Sequence, residues 1–300
     1  MLKIAWSPIY NHPLPPGHRF PMEKYDLLPE QLIYEGTVTD SNFFKPGKLT
    51  DKEILAVHTS SYWEKLKEVK FSRSEERNSG FPITPQLVQR EININAGTIQ
   101  CVDFALQYGV SMNIAGGTHH AYPDRAEGFC LLNDQAIASR YVLDNHKAQQ
   151  VLIVDLDVHQ GNGTAVIFQN DPRVFTFSMH GARNYPLRKE NSDLDVALPD
   201  GTDDSSYLEV LDKYLNHLIE QLHPDFLFFQ SGVDVLKTDK LGRLGLTIAG
   251  CRERDRKVLS IARQHQIPIV ASMGGGYSED IKHIVEAHAN TFRLAQEIFF

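Results

Sequence analysis

Cysteine is scarce in this chain. Only Cys101, Cys130 and Cys251 occur among 300 residues, an odd number with no CxxC spacing. That excludes a disulfide framework and a thiolate zinc site, and a reducing cytoplasmic setting is expected. Long apolar runs are missing too. No stretch approaches the ~18–20 apolar residues of a membrane helix. The opening MLKIAWSPIYNHPLPPGH, interrupted by Pro8, lacks the apolar core of a secretory signal. A soluble protein with no membrane partner is expected. Positive charge is in the minority, 30 Lys and Arg against 38 Asp and Glu, for a formal net charge of −8. Phosphate backbones are bound by basic patches, so nucleic acid is not an expected partner.

A hydrophobic content of 42% is enough to bury a sizeable core at this length, and no repeat or long linker divides the chain. One domain spanning 1–300 is expected. Residues 8–50 are irregular and rich in Pro and Gly, with a helix expected around 21–34, and SRSEERNSG at 72–80 reads as an exposed, charged loop. From about residue 85 helices and strands alternate. Strands are expected at 112–115, 151–158, 174–180, 225–232 and 268–276, with helices at 86–108, 131–145, after 163, near 204–222, at 248–265 and at the C-terminus. This alternation implies crossover connections, a mostly parallel sheet and helices on both faces.

The segment VLIVDLDVHQGNG, residues 151–163, holds the strongest chemical signal. Val151 to Val154 suit a central strand, and Asp155, Asp157 and His159 follow at every second position, which on a strand means one face. A buried carboxylate must be paired or must bind a cation, yet no Lys or Arg lies between 148 and 172. A metal ion answers this. Asp234, in QSGVD after the strand at 225–231, supplies a third ligand. Two carboxylates and one imidazole neutralise a divalent ion and leave a coordination position open, as in catalytic sites. Zinc is the first choice, one ion per chain, and Fe(II), Mn or Co also suit the oxygen-rich set.

THH, DVH, SMH, SGVD and GGGY all fall where a strand ends, the edge at which open parallel sheets bind ligands. His119 and His120 follow Gly116, Gly117 and Thr118, where the chain turns, so both rings can enter one pocket as acid–base groups. Asp155 can orient one of them and Asn162 the other. Gly274, Gly275 and Gly276 allow close backbone approach to a ligand and place the Tyr277 hydroxyl where it can donate to an oxyanion.

GGTHHAYPDRAEGFC, DLDVHQGNG, SGVD and GGGY, in this order, resemble the histone deacetylase and acetylpolyamine amidohydrolase superfamily. The likeness runs from about Asn95 to the C-terminus, and HPLPPGHRFP also fits. HQGNG and GVDVLKTDKLGRLGLT are most similar to class IV histone deacetylases and their bacterial relatives. The resemblance implies a three-layer α/β/α, arginase-like fold with about eight strands. It also implies hydrolysis of an acyl-lysine amide in a peptide or protein, or of a small acylated amine such as an acylpolyamine.

Carried over residue by residue, Asp157, His159 and Asp234 ligate zinc. His120 is general base and acid, His119 is its electrostatic partner bonded to Asp155, and Tyr277 polarises the carbonyl. Gly128 and Phe129 match the tunnel around the acyl-lysine stem, with Tyr185 opposite. Asp155, Ser178 and Met179, with the carbonyls of Asp157 and His159, match a structural potassium site, and the carbonyls of Phe168, Asp171 and Val174 match a second.

Two departures stand out. Asn162 occupies a position where class I enzymes have Asp, and NSGFP at 78–82 lacks their rim Asp. The class IV likeness also raises long acyl groups as substrates, with Gly116 and Gly117 expected to leave space near the site. A two-manganese ureohydrolase would want an Asp where Gly161 stands. A non-catalytic acyl-lysine binder would have lost a ligand, base or Tyr, and none is lost.

Overall fold

A computed structural model describes all of residues 1–300. Its strands are β1 (Lys3–Ala5), β2 (Phe43–Phe44), β3 (Val110–Asn113), β4 (Val151–Asp155), β5 (Val174–Gly181), β6 (Leu194–Leu198), β7 (Phe226–Gln230) and β8 (Ile269–Ser272). They form one sheet in the order β2-β1-β3-β8-β7-β4-β5-β6, with every neighbouring pair parallel. The helices are α1 (Lys24–Tyr34), α2 (Asp51–Leu55), α3 (Ser60–Glu68), α4 (Arg73–Ser79), α5 (Pro85–Tyr108), α6 (Asp134–Asp144), α7 (Asn162–Phe168), α8 (Asp204–Leu222), α9 (Ile248–Gln264) and α10 (Ile281–Phe299).

Parallel neighbours cannot be joined by tight turns, so the connections cross over through helices and cover both faces. The result is three layers. The helix α5 packs on β1, β3 and β8 and against α6, while α8, α9, α10 and α1 pack in succession. Covered on both sides, the inner strands need no alternation: VLIVD of β4 and FLFFQ of β7 are buried at every residue. The edge strand β6 has one half-exposed face and alternates accordingly.

The structure departs from the sequence reading in several places, among them β8, which ends at Ser272 rather than at 276, and the unforeseen α2 and α3. The segment 72–80 is not a loop, because Ser72 caps α4 and Glu75 returns its carboxylate to the Ser72 backbone N–H, a capping box. The strand β4 ends at Asp155 rather than at 158. The sheet also gains β1, β2 and β6, which were not placed as strands, and so reaches the eight strands that the resemblance implies, all of them parallel.

Candidate active site

Because β4 stops at Asp155, Asp157 and His159 do not share a strand face. They sit in the bend that follows, and hydrogen bonds bring them together. The backbone N–H of Asp157 donates to Asp155 Oδ1 at 3.2 Å, and that of Val158 donates to Asp234 Oδ1 at 2.9 Å. The N–H of Gly275 donates to Asp157 Oδ2 at 3.0 Å. His159 Nδ1 then lies 3.0 Å from Asp157 Oδ1 and 3.1 Å from Asp234 Oδ2. Ligand atoms of these three buried residues all fall within 4.8 Å of one another.

The electrostatics of the trio are unbalanced. Burial alone would depress the His159 imidazole, but its bonds to Asp157 and Asp234 hold it up at about 10. Asp234, buried and facing the charge of Asp157, is pushed up to about 7. Asp157 is buried as well, but His119 and His159 hold it well below the usual carboxylate range. One imidazolium thus satisfies one carboxylate and leaves the other short of positive charge. Two carboxylates and an imidazole this close fit a divalent cation, with space for it provided by glycine. A Cβ on Gly275 would lie 2.1 Å from Asp234 Oδ2 and 2.8 Å from Asp157 Oδ2, and one on Gly232 would lie 2.2 Å from Asp157 Oδ2.

His119 and His120 flank this trio with ring centroids 4.1 Å apart. His119 Nδ1 meets Asp155 Oδ2 at 2.7 Å. Burial would lower this imidazole, but Asp155 and Asp157 raise it to about 9. Burial also pushes Asp155 up. The two shifts pull against each other, and the direction that holds is the raised imidazole, since a bonded carboxylate favours the charged ring. His120 has no such partner. Its Nδ1 meets Asn162 Oδ1 at 2.6 Å, and burial, then the neighbouring His119 and His159, hold it well below the ordinary histidine value.

The turn at 274–277 brings Tyr277 opposite the histidines. Gly274 has φ +72°, a left-handed conformation that suits glycine. The backbone N–H of Tyr277 donates to Asp239 Oδ2 at 2.6 Å. Burial and the charges of Asp234 and Asp157 raise its phenol well above 10, so it stays a hydrogen-bond donor.

Two cavities meet here. An outer funnel of about 460 Å³ is lined by Gly128, Phe129, Tyr185 and Glu127, among others. An inner chamber of about 30 Å³ reaches Tyr25, Arg90 and Ile94. His120, His159 and Tyr277 line both. The Tyr185 ring stands perpendicular to His120 at 5.0 Å, and Phe129 packs 5.9 Å from Tyr277. The segment read as lacking a rim Asp supports this wall, since Asn78 and Ser79 accept the N–H groups of Gly128 and Phe129 at 3.0 and 2.7 Å. Gly116 and Gly117 line the inner chamber. A Cβ there would lie 2.3 Å from Asp134 Oδ2 and 2.1 Å from Gln230 Oε1, so both positions need glycine on the side away from the chamber.

Ser178 pairs in register with Asp155 on the adjoining strand, and Met179 follows it, both buried. The carbonyls of Phe168 and Asp171 accept N–H groups from Asp171 and Val174 in the turn before β5.

The sequence reading missed several supporting groups. Asp134 accepts the Thr118 N–H and hydroxyl, both at 2.9 Å, fixing the turn that carries the histidines. Arg254 on α9 donates to the carbonyls of Leu156 and Gly232 at 3.1 and 2.6 Å. Lys24 donates to Gly274 at 3.0 Å. Asp239 and Glu127 belong with them. Most of these five sit among other charged residues, as Arg254 does in CRERDRK and Asp239 in LKTDK, so no local signal set them apart.

Comparison with known proteins gives the same picture over nearly the whole chain. An uncharacterized protein of Picosynechococcus sp. is 42% identical over 297 residues, 99% of both chains. Histone deacetylase 2 of Arabidopsis thaliana is 28% identical over 277 residues, 89% of this chain and 72% of its own. Acetoin utilization protein AcuC of Staphylococcus aureus is 28% identical over 284 residues, 86% and 72% respectively. The crystal structure of an HDAC homolog from Aquifex aeolicus has the same fold, with a TM-score of 0.83 over 98% of this chain and 84% of its own at 22% identity. A family model described as histone deacetylase domain matches residues 18–292, so this chain belongs to the histone deacetylase family.

Proposed function

We propose that residues 1–300 form one catalytic domain that hydrolyses the amide of acylated lysine side chains with the aid of a single zinc ion. The observation that carries this reading is the buried Asp157, His159 and Asp234 trio beside the neutral His120, with His159 and His120 at the junction of the two cavities. Family membership supports deacetylase chemistry. Asp157, His159 and Asp234 would hold the ion, which when bound polarises an amide carbonyl and acidifies water.

The protein's own groups do the rest. His120, with Nδ1–H engaged by Asn162, presents a free Nε2 that takes a proton from the attacking water as the water oxygen bonds to the carbonyl carbon. The Tyr277 hydroxyl donates to the oxygen that becomes negative in the tetrahedral intermediate. His119, kept charged by Asp155, stabilises that negative charge. When the C–N bond breaks, the protonated His120 gives its proton to the leaving amine, and the carboxylic acid that remains loses its proton, so the products are a carboxylate and a protonated amine. Asp155, Ser178 and Met179, behind His119, would hold potassium as a structural ion.

The dimensions bear on the acyl group. The inner chamber of about 30 Å³ has room for roughly one or two waters, which favours acetyl over a long chain. The mouth bears on the amine. Exposed Arg19 and Arg77 line it, Arg19 with its guanidinium 4.9 Å from the Phe129 ring, and the one acid there, Glu127, is taken up by Asn162 and Tyr185. Two guanidinium groups disfavour a polycationic acylpolyamine and favour acyl-lysine.

The test combines metal analysis with turnover on acetyl-lysine peptides, long-acyl peptides and acetylpolyamines. Asp234→Ala should lose both metal and activity while staying folded. Tyr277→Phe should keep the metal and lose roughly 10²–10³ in kcat, as for one oxyanion donor. Full metal occupancy in the first variant, or near-normal turnover in the second, would overturn the assignment. Faster turnover of acetylpolyamines than of acetyl-lysine would overturn the substrate reading alone.

A further inference from the structure

Asn162 uses its whole side-chain amide. One N–H donates to Glu127 Oε1 at 2.9 Å and the other to the Tyr122 hydroxyl at 3.0 Å, while Oδ1 lies 2.6 Å from His120 Nδ1. The Tyr122 hydroxyl in turn donates to Glu190 Oε1 at 3.1 Å. A carboxylate has no proton to give, so the NH2 of Asn162 must face Glu127 and its oxygen must face His120. That oxygen can only accept, which places the His120 proton on Nδ1 and leaves Nε2 bare toward the cavity.

Glu127 does more than orient an amide. The same Oε1 accepts the Tyr185 hydroxyl, and Oε2 lies 3.4 Å from Arg125 Nε. Its side chain is only 18% exposed. Tyr185 is the ring that stands perpendicular to His120 across the funnel. One carboxylate therefore aims the base, through Asn162, and holds the wall that faces it.

On the reading that His120 moves the proton, we propose that Glu127 is its positioning residue: Asn162 relays the carboxylate that His119 receives directly from Asp155. This accounts for the asparagine at 162. An aspartate there would confront Glu127 with no hydrogen between one fully buried and one largely buried carboxylate, an arrangement that like-charge repulsion disfavours. It would also leave the Tyr122 hydroxyl without its donor. The two positions form a unit in which only one member can be a carboxylate.

A double-mutant cycle tests this, because coupled neighbours depart from additivity. Partners that orient an active-site group are typically worth about 10–100-fold in activity. Asn162→Asp alone should lose activity in that range. Glu127→Gln alone should lose about 10-fold or less, since its amide oxygen still accepts from Asn162 and Tyr185. In the Asn162→Asp background the same Glu127→Gln change should raise turnover about 10-fold, because its NH2 can then donate to the new carboxylate. Glu127→Ala should raise KM as well, because it frees Tyr185, whereas Asn162→Asp should act on kcat with little change in KM.

The reversal of sign is the decisive result. If Glu127→Gln is as harmful in the Asn162→Asp background as in the unmodified protein, the proposal fails. The cycle should be run in parallel on thermal unfolding, where the same reversal is expected. If the unmodified protein turns over no acyl amide, the functional reading falls. The unfolding cycle then still decides the pairing, and additive changes in Tm would reject it.

Discussion

The two sides of the pocket start from the same residue type and end in opposite states. His119 and His120 are consecutive, buried and 4.1 Å apart at their ring centroids. His119 leans on a carboxylate and is raised to about 9, whereas His120 leans on an amide and is held far below its ordinary value. Burial acts on both in the same direction, so it cannot separate them. The difference lies in the charges around them: Asp155 and Asp157 hold His119 up, whereas His120 faces the charged His119 and His159 and has only the amide oxygen of Asn162 on its Nδ1. Two neighbours of one residue type thus come to differ in proton affinity, one favouring the charged ring and the other the neutral one.

Deleting one side and then the other should break the comparison most severely. His120→Ala is expected to cost roughly 10²–10⁴ in kcat, the range for a general acid–base group. His119→Ala should cost less, because that ring supplies charge and not proton transfer. Steady-state kinetics on metal-replete variants measures both, and the reverse order would exchange the two roles.

A smaller effect should follow from making the partners alike. Asp155→Asn gives both histidines an amide, so His119 should lose its raised proton affinity and activity should fall about 10–100-fold, as for a carboxylate that orients an active-site group. NMR titration of His119 reads the change directly, and an unmoved titration would show that Asp157, not Asp155, holds its charge.

A third histidine sharpens the rule without touching the pocket. His58 Nδ1 donates to the Tyr122 carbonyl at 3.0 Å, and its Nε2 accepts the Asn133 N–H at 3.1 Å. No carboxylate contacts it, and burial lowers it to about 4. The folded state therefore favours the neutral ring, and below 6.5 the unfolded chain binds the extra proton. The stability from His58 is complete above about 6.5 and is lost as pH falls toward 4. His58→Gln should flatten the dependence of Tm on pH in that window. An unchanged slope would assign it to other groups.

How much of this was legible depended on the element. Helix α8 was read at its observed bounds and α9 within a residue, because long amphipathic stretches begin at capping residues, Asp203 and Thr247. Strands β1 and β2, three and two residues long, are too short to carry a period. In 72–80 the Ser72 and Glu75 pair is itself a helix start, set in a run whose charge density otherwise suits an exposed loop. The residues singled out around the strand ends do lie together, but for a different reason at β4. There, bends and backbone hydrogen bonds bring Asp157 and His159 inward after the strand has ended.

By itself, then, the sequence determined the parallel α/β architecture and singled out the side chains proposed to bear the chemistry. Apolar runs that alternate with amphipathic ones leave few other ways to bury a core, and ionisable groups at the ends of such runs need partners. Only the tertiary structure decided what each group is bonded to. Asp234 reaches His159 from 75 residues away, Glu127 reaches Asn162 from 35, and Lys24 reaches Gly274 from 250. Proton affinity depends on contacts within a few ångströms, and no local pattern encodes contacts made across such separations.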